Sequence, residues 1–246
     1  MRFALLAPLL AALLCARAGE PDPDAPPAIQ ASLERMRSAA ATLRTATYTL
    51  HRQEWKDGQT YPAQVMAIKL RRPDDLYMRW TGEAYQGREL LYRPGWNQGR
   101  LRISEGALVP TVDLDPTGFV AMRGSRQPAW MASVLRTSQS ILAGADVLSA
   151  DPALNASYQD LGTVTVSGEP SHCYRADLPV GQDPSQYADR VLVCMSRRHG
   201  LLTRFAAWEL SDGVLRQIED YVFTDVVVNP GLSDADFDPD NDAYGF

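Results

Sequence analysis

The chain has 246 residues, 45% of them hydrophobic and 22% charged, with a formal net charge of −6 at pH 7. Lys56 and Lys69 are its only lysines and no basic run is long. This balance argues against nucleic acid and against an anionic membrane as electrostatic partners.

In chain order, Arg2 supplies a positive start, residues 3–14 an apolar run, and Ala16-Arg17-Ala18 an A-x-A cleavage pattern. The run is too short to span a bilayer, which takes about 20 apolar residues. Residues 1–18 are therefore expected to be a signal peptide, leaving a mature chain from Gly19 that works in the periplasm or outside the cell. Cys15 offers an alternative reading as a lipid-attachment site, but Leu14 occupies the position where lipidation signals want a small residue. Cleavage would remove Arg2 and Arg17 and no acid, taking the net charge from −6 to −8. Residues 19–28 contain a Pro-rich leader with too little apolar surface to order itself, and residues 29–246 are expected to form one domain.

Ile29, Leu33, Met36, Ala40 and Leu43 recur at helical spacing and predict a helix over about 27–43. A Thr- and Tyr-rich strand follows over 45–55, closed by the turn Asp57-Gly58. Met66, Ile68 and Leu70 alternate with Ala67, Lys69 and Arg71, and Leu76, Met78 and Trp80 alternate with Tyr77 and Arg79. Leu90 with Tyr92, and Leu101 with Ile103, continue the pattern, so four or five antiparallel strands are expected over 45–106.

The period then changes. Met131, Val134, Leu135, Ser138, Ile141, Leu142 and Ala145 share one side of a helix that starts near Pro128 and is lost by Asp151-Pro152. Strands resume over 158–166, 172–178, 190–196, 201–210 and 215–228, with turns at His199-Gly200 and Asp212-Gly213. Helix, meander, helix, meander reads as a mainly β fold with α: one strongly curved antiparallel sheet whose helices cover its concave face. Cys173 and Cys194 both fall in strand-like runs, and an oxidising compartment favours a cross-strand disulfide between them.

Leu76-Tyr77-Met78-Arg79-Trp80, Gly87-Arg88-Glu89-Leu90-Leu91-Tyr92, Leu114-Asp115-Pro116, the Asp234-Ala235-Asp236-Phe237-Asp238-Pro239 stretch and the Tyr244-Gly245-Phe246 ending carry a resemblance. Together they resemble an exported bacterial family, domain of unknown function family 1571, related in fold to the lipoprotein carriers LolA and LolB. The resemblance implies an open half-barrel with helices over its concave side, a shape that encloses an apolar cavity for acyl chains in those carriers. Fold-level likeness alone does not fix function.

Signatures of catalysis and cofactor binding are missing: there is no G-x-S-x-G, H-E-x-x-H, C-x-x-C, Walker-type or G-x-G-x-x-G stretch. His51, His172 and His199 show no ligand spacing, and a hydrolase reading needs a Ser or Asp brought within hydrogen-bond reach of one of them. Asp113 and Asp115 could face one way on a strand, but Asp115-Pro116-Thr117-Gly118 is a turn sequence in its own right. Alternate Asp residues from Asp234 to Asp242 resemble the start of a calcium loop, yet Asn241 stands where the turn Gly belongs and no twelfth-position Glu follows. A tail pinned by Phe237, Tyr244 and Phe246 accounts for the same residues without metal.

The expectation is thus a non-enzymatic carrier or binding protein for an amphipathic ligand, lipid or lipoprotein, with no cofactor and no metal. Its cavity would be lined by Met66, Ile68, Leu76, Met78 and Trp80 of the sheet and Met131, Val134 and Leu135 of the second helix. Arg88 and Glu89, near Trp80, Tyr85, Tyr92 and Trp96, would form a polar mouth, or else pair with cross-strand neighbours. The alternative is a scaffold that docks or senses another envelope protein through an exposed apolar patch, and a hydrolase ranks third.

Overall fold

The computed structural model describes residues 28–106, 109–150, 157–178 and 187–246. The expected signal peptide, Cys15 and the leader up to residue 27 lie outside the described residues.

Helix α1 (Ala28–Thr42) buries Leu33, Met36 and Ala40 along one stripe, and Leu43 follows it into the core. Strand β1 (Thr45–Lys56) turns at Asp57 and Gly58, both with positive φ as a two-residue hairpin requires, into β2 (Gln59–Thr60). A meander follows: β3 (Gln64–Arg71), β4 (Asp75–Trp80), β5 (Glu89–Tyr92), β6 (Leu101–Ser104) and β7 (Val112–Leu114). After one 3-10 turn at Ala129–Ala132 comes α2 (Val134–Ala150). The chain then makes β8 (Ser157–Val166), β9 (Glu169–Asp177), β10 (Arg190–Ser196), β11 (Leu202–Ser211) and β12 (Val214–Val228), the last two joined by a second Asp-Gly turn at Asp212 and Gly213.

Among the described residues the strands form one antiparallel sheet in the order β7-β6-β5-β4-β3-β1-β12-β11-β10-β9-β8, with β2 on β1 alone. Eleven strands set side by side at about 4.8 Å would span roughly 50 Å if flat. Yet Leu90 and Leu101 of one flank and Tyr174 and Met195 of the other share a single core with Met36 of α1 and Leu135 of α2. The sheet therefore curls around both helices, and because β7 and β8 do not pair it stays an open half-barrel, the expected architecture.

The concave face of the first flank follows the sequence alternation. Met66 lies opposite Trp80, Ile68 opposite Met78 and Leu70 opposite Leu76, all buried toward the helices. On the convex face, Lys69, Tyr77 and Leu91 receive the end of the chain. A 3-10 turn at Asp234–Phe237, opened by a capping box between Ser233 and Asp236, drives Phe237 to full burial beside Tyr77 and Leu91. Tyr244 stacks on Tyr77 with ring centroids 4.0 Å apart, and Lys69 Nζ donates to Asp236 at 2.8 Å and to Tyr244 Oη at 3.0 Å.

Cys173 and Cys194 stand directly opposite on β9 and β10 and are bonded, on the convex side of the second flank. No helix among the described residues is long and apolar enough to cross a membrane.

Candidate functional site

The second flank lays its concave side chains out in rows. Tyr174, Val193, Phe205 and Tyr221 face one another across β9, β10, β11 and β12. Two positions along, Ala176, Val191, Ala207 and Glu219 form the next row, which ends on Glu54 of β1. Above this floor α2 presents Thr137, Ile141, Gly144 and Leu148, spaced as one helical stripe, while Val134, Leu135, Ser138 and Leu142 on its neighbouring stripe fill the core.

Between floor and helix lies a cavity of about 480 Å³. Protein interiors rarely leave voids larger than one water, whose share of liquid volume is about 30 Å³, so this is no packing defect. Its size has a local cause. Ala176, Val191 and Val193 are short, and at Gly144 an added Cβ would meet nothing within 4 Å. Ile29 and Leu33 of α1 contribute to the wall, and Met131 and Gln127 come from the connection into α2.

At the margin nearest the sheet centre the lining turns polar. Glu219 and Glu54, 1% and 3% exposed, are directly opposite in register. The Tyr221 hydroxyl donates to Glu54 and reaches Glu219 Oε1 at 3.3 Å, and the Arg126 backbone N–H donates to Glu54 Oε2 at 3.0 Å. Tyr187 adds a hydroxyl hydrogen bond to Glu219 and is itself bonded by Gln127 and Arg126. Burial, reinforced by the Glu54 charge and opposed by the Tyr187 hydrogen bond, pushes the Glu219 carboxyl up to about 7. The Tyr221 hydroxyl is raised by burial first and then by the two carboxylates.

Of the residues expected to line a cavity, Met131 does so. Met66, Ile68, Leu76, Met78, Trp80, Val134 and Leu135 lie together in the filled core, none more than 5% exposed. Arg88 and Glu89 part company. The Arg88 guanidinium pairs with Glu105 at 2.7 Å over the Tyr85 and Trp80 rings, whereas Glu89 is buried on the convex side and accepts the Gly245 N–H at 2.8 Å. Tyr174, Val191, Val193, Phe205 and Glu219 were not singled out from the sequence. Their period-2 pattern was visible, but hydrophobicity pointed to the bulkier flank, and bulky side chains fill space where short ones leave it.

The other polar candidates are tied into structure. Asp113 forms a two-pronged pair with Arg102, and Asp115 accepts the Thr117 N–H at 2.8 Å within its turn. Asp234 pairs with Arg71. His172 Nε2 lies 2.6 Å from Asp160, the contact with an Asp that the hydrolase reading needs, and its ring stacks on Tyr174, but among the described residues no hydroxyl or thiol hydrogen-bonds to it as a nucleophile would. Burial lowers His199 to about 4, where its Nδ1 accepts the Leu201 N–H. Among the described residues no group of three or more His, Cys, Asp or Glu side chains is placed to hold a metal ion.

The profile of a family described as protein of unknown function, DUF1571, matches residues 44–246. No curated protein matches the chain. Among solved structures, lipoprotein LppX from Mycobacterium tuberculosis aligns at 14% identity over 85% of this chain and 99% of its own, with a TM-score of 0.49. A LolA superfamily protein from Nitrosomonas europaea aligns at 11% identity over 85% and 96%, with a TM-score of 0.36. A DUF1329 family protein from Desulfovibrio piger aligns at 13% identity over 85% and 97%, also with a TM-score of 0.36.

Proposed function

We propose that this chain, which belongs to the DUF1571 family of proteins of unknown function, is a non-enzymatic carrier or binding protein that holds the apolar part of an amphipathic ligand between α2 and the β8–β12 flank. The observation that carries this reading is the cavity: about 480 Å³, walled mainly by aliphatic and aromatic side chains, with the Glu219 carboxyl at the margin nearest the sheet centre. That volume lies within the roughly 300–1,000 Å³ typical of small-molecule sites, which are likewise mostly apolar with a few placed polar groups. An acyl chain entering it would gain about 0.8 kcal/mol per buried methylene before the costs of ordering are subtracted. The reading places the protein outside the cytoplasm, after loss of residues 1–18.

Native mass spectrometry with lipid extraction, on protein purified gently from an exported preparation, tests this. Stoichiometric acyl-chain mass supports the carrier. A clean apo mass, unchanged after incubation with lipids and lipopeptides, overturns it in favour of a docking scaffold, for which Phe119 and Val120, 84% and 64% exposed, are the first residues to substitute.

A further inference from the structure

We propose, building on the carrier reading, that the cavity selects amphiphiles whose buried end carries a hydrogen-bond donor, an amine, amide or hydroxyl, and that Glu219 receives it. The carboxyl lines the cavity yet is 1% exposed, so water does not freely serve it. Its neighbours are the hydroxyls of Tyr187 and Tyr221, a second acid, Glu54, and the charge of Arg126. Among the described residues no ion pair includes Glu219 or Glu54. The Arg126 guanidinium acts on Glu219 through its charge alone: its terminal nitrogens reach Glu209 at 3.5 Å and the Trp55 carbonyl at 3.3 Å, and its Nε is buried without a hydrogen-bond partner.

The Glu219 carboxylate therefore keeps acceptor capacity that its neighbours do not use up. A carboxylate has about four lone-pair sites, and Glu219 receives two hydroxyls. A buried acceptor left short of partners costs about 1–3 kcal/mol, which a donor on the ligand recovers. The converse gives the selectivity. A ligand ending in carboxylate or phosphate would set its charge against two acids in a poorly solvated place, where like charges repel strongly. The raised affinity of Glu219 for a proton fits the same geometry, since a proton is the smallest donor that can settle there.

Isothermal titration of the purified protein at neutral pH with dodecylamine, dodecanol and dodecanoate, each below its micellar concentration, tests this. The amine and the alcohol are expected to bind at least about tenfold more tightly than the carboxylate, a difference of about 1.4 kcal/mol. Glu219→Gln, close to isosteric, should cut amine binding by a similar factor and improve dodecanoate. Equal binding of all three overturns the selectivity and leaves the carrier reading standing. Binding of none of them overturns both. Tighter binding of dodecanoate, or an unchanged order in a folded Glu219→Gln, also overturns the proposal. If the variant fails to fold, the wild-type series decides alone.

Discussion

The Tyr48 hydroxyl sits at the threshold of α2, accepting the Val134 N–H at 3.1 Å and donating to the Ala132 carbonyl at 2.9 Å. One side chain of β1 thus satisfies two backbone groups in the buried step between the 3-10 turn and the helix: an N–H that a helix start, and a C=O that a helix end, otherwise leaves without a partner. Tyr48 is 3% exposed and its hydroxyl is held protonated by burial. Tyr48→Phe should cost about 1–3 kcal/mol, because both backbone groups stay buried and unpaired. Urea denaturation followed by circular dichroism measures it, and an unchanged midpoint would show that another group has replaced the hydroxyl.

Gly144 separates stability from binding. It lies inside α2 with open space where a Cβ would go, so Gly144→Ala should raise stability by about 0.5–1 kcal/mol through reduced backbone freedom. Gly144→Trp should project an indole into the cavity and abolish binding of a twelve-carbon chain while the protein remains folded. Thermal melts and ligand titration on both variants check the pair, and a Trp variant that binds normally would mean the ligand does not lie along the Thr137, Ile141, Gly144 and Leu148 stripe.

The raised Glu219 carboxyl makes a signed pH prediction. Between the ordinary value of 4.5 and about 7 the unfolded chain releases this proton while the folded one keeps it. Stability from this group is therefore fully present below about 4.5, falls as pH rises, and is lost above 7, at about 1.4 kcal/mol per unit. The total is about 3 kcal/mol. Glu219→Gln should remove that slope and melt higher than the wild type at neutral pH. Melting curves across this window settle the sign, and a wild-type stability that rises from this source would count against the buried acid.

Closing the loop between Cys173 and Cys194, 21 residues apart, should contribute about 3 kcal/mol by restricting the unfolded chain. Because the bond lies on the convex face, its loss should leave the cavity intact. The Cys173→Ala, Cys194→Ala double variant is expected to lower the denaturation midpoint with ligand affinity changed less than about twofold at temperatures where it stays folded. A large fall in affinity would mean the two faces of the flank are coupled.

The strands were legible in the sequence because alternation reports burial on one face directly. The expected runs 190–196 and 215–228 match β10 and β12 to within a residue. The spacing predicts a second helix from near Pro128, but Ser133 adopts an extended conformation between the 3-10 turn and α2, a break that spacing alone does not reveal. β2 and β7, two and three residues long, are too short to show a period. The site was the least legible part. Alternation says that Met66 and Val193 both point inward, whereas whether space remains there depends on the side chains across the gap, here Gly144 and Ala176. Glu219 and Glu54 lie far apart in sequence and become neighbours only through the register of β1 with β12.

That register also governs the order in which the molecule can be completed. Thr45 and Asn229, 184 residues apart, are hydrogen-bonded at the end of this strand pair. A chain emerging from its N-terminus can finish α1, β1 and the local β3–β7 meander while the other edge of β1 waits for nearly the whole remaining sequence. Non-local pairing of this kind is slow to form, and an open strand edge is a template for association with other chains. The cavity inherits the same delay, since its polar margin arrives with β12: the part of the protein proposed to receive a ligand cannot exist until the seam at the centre of the sheet has closed.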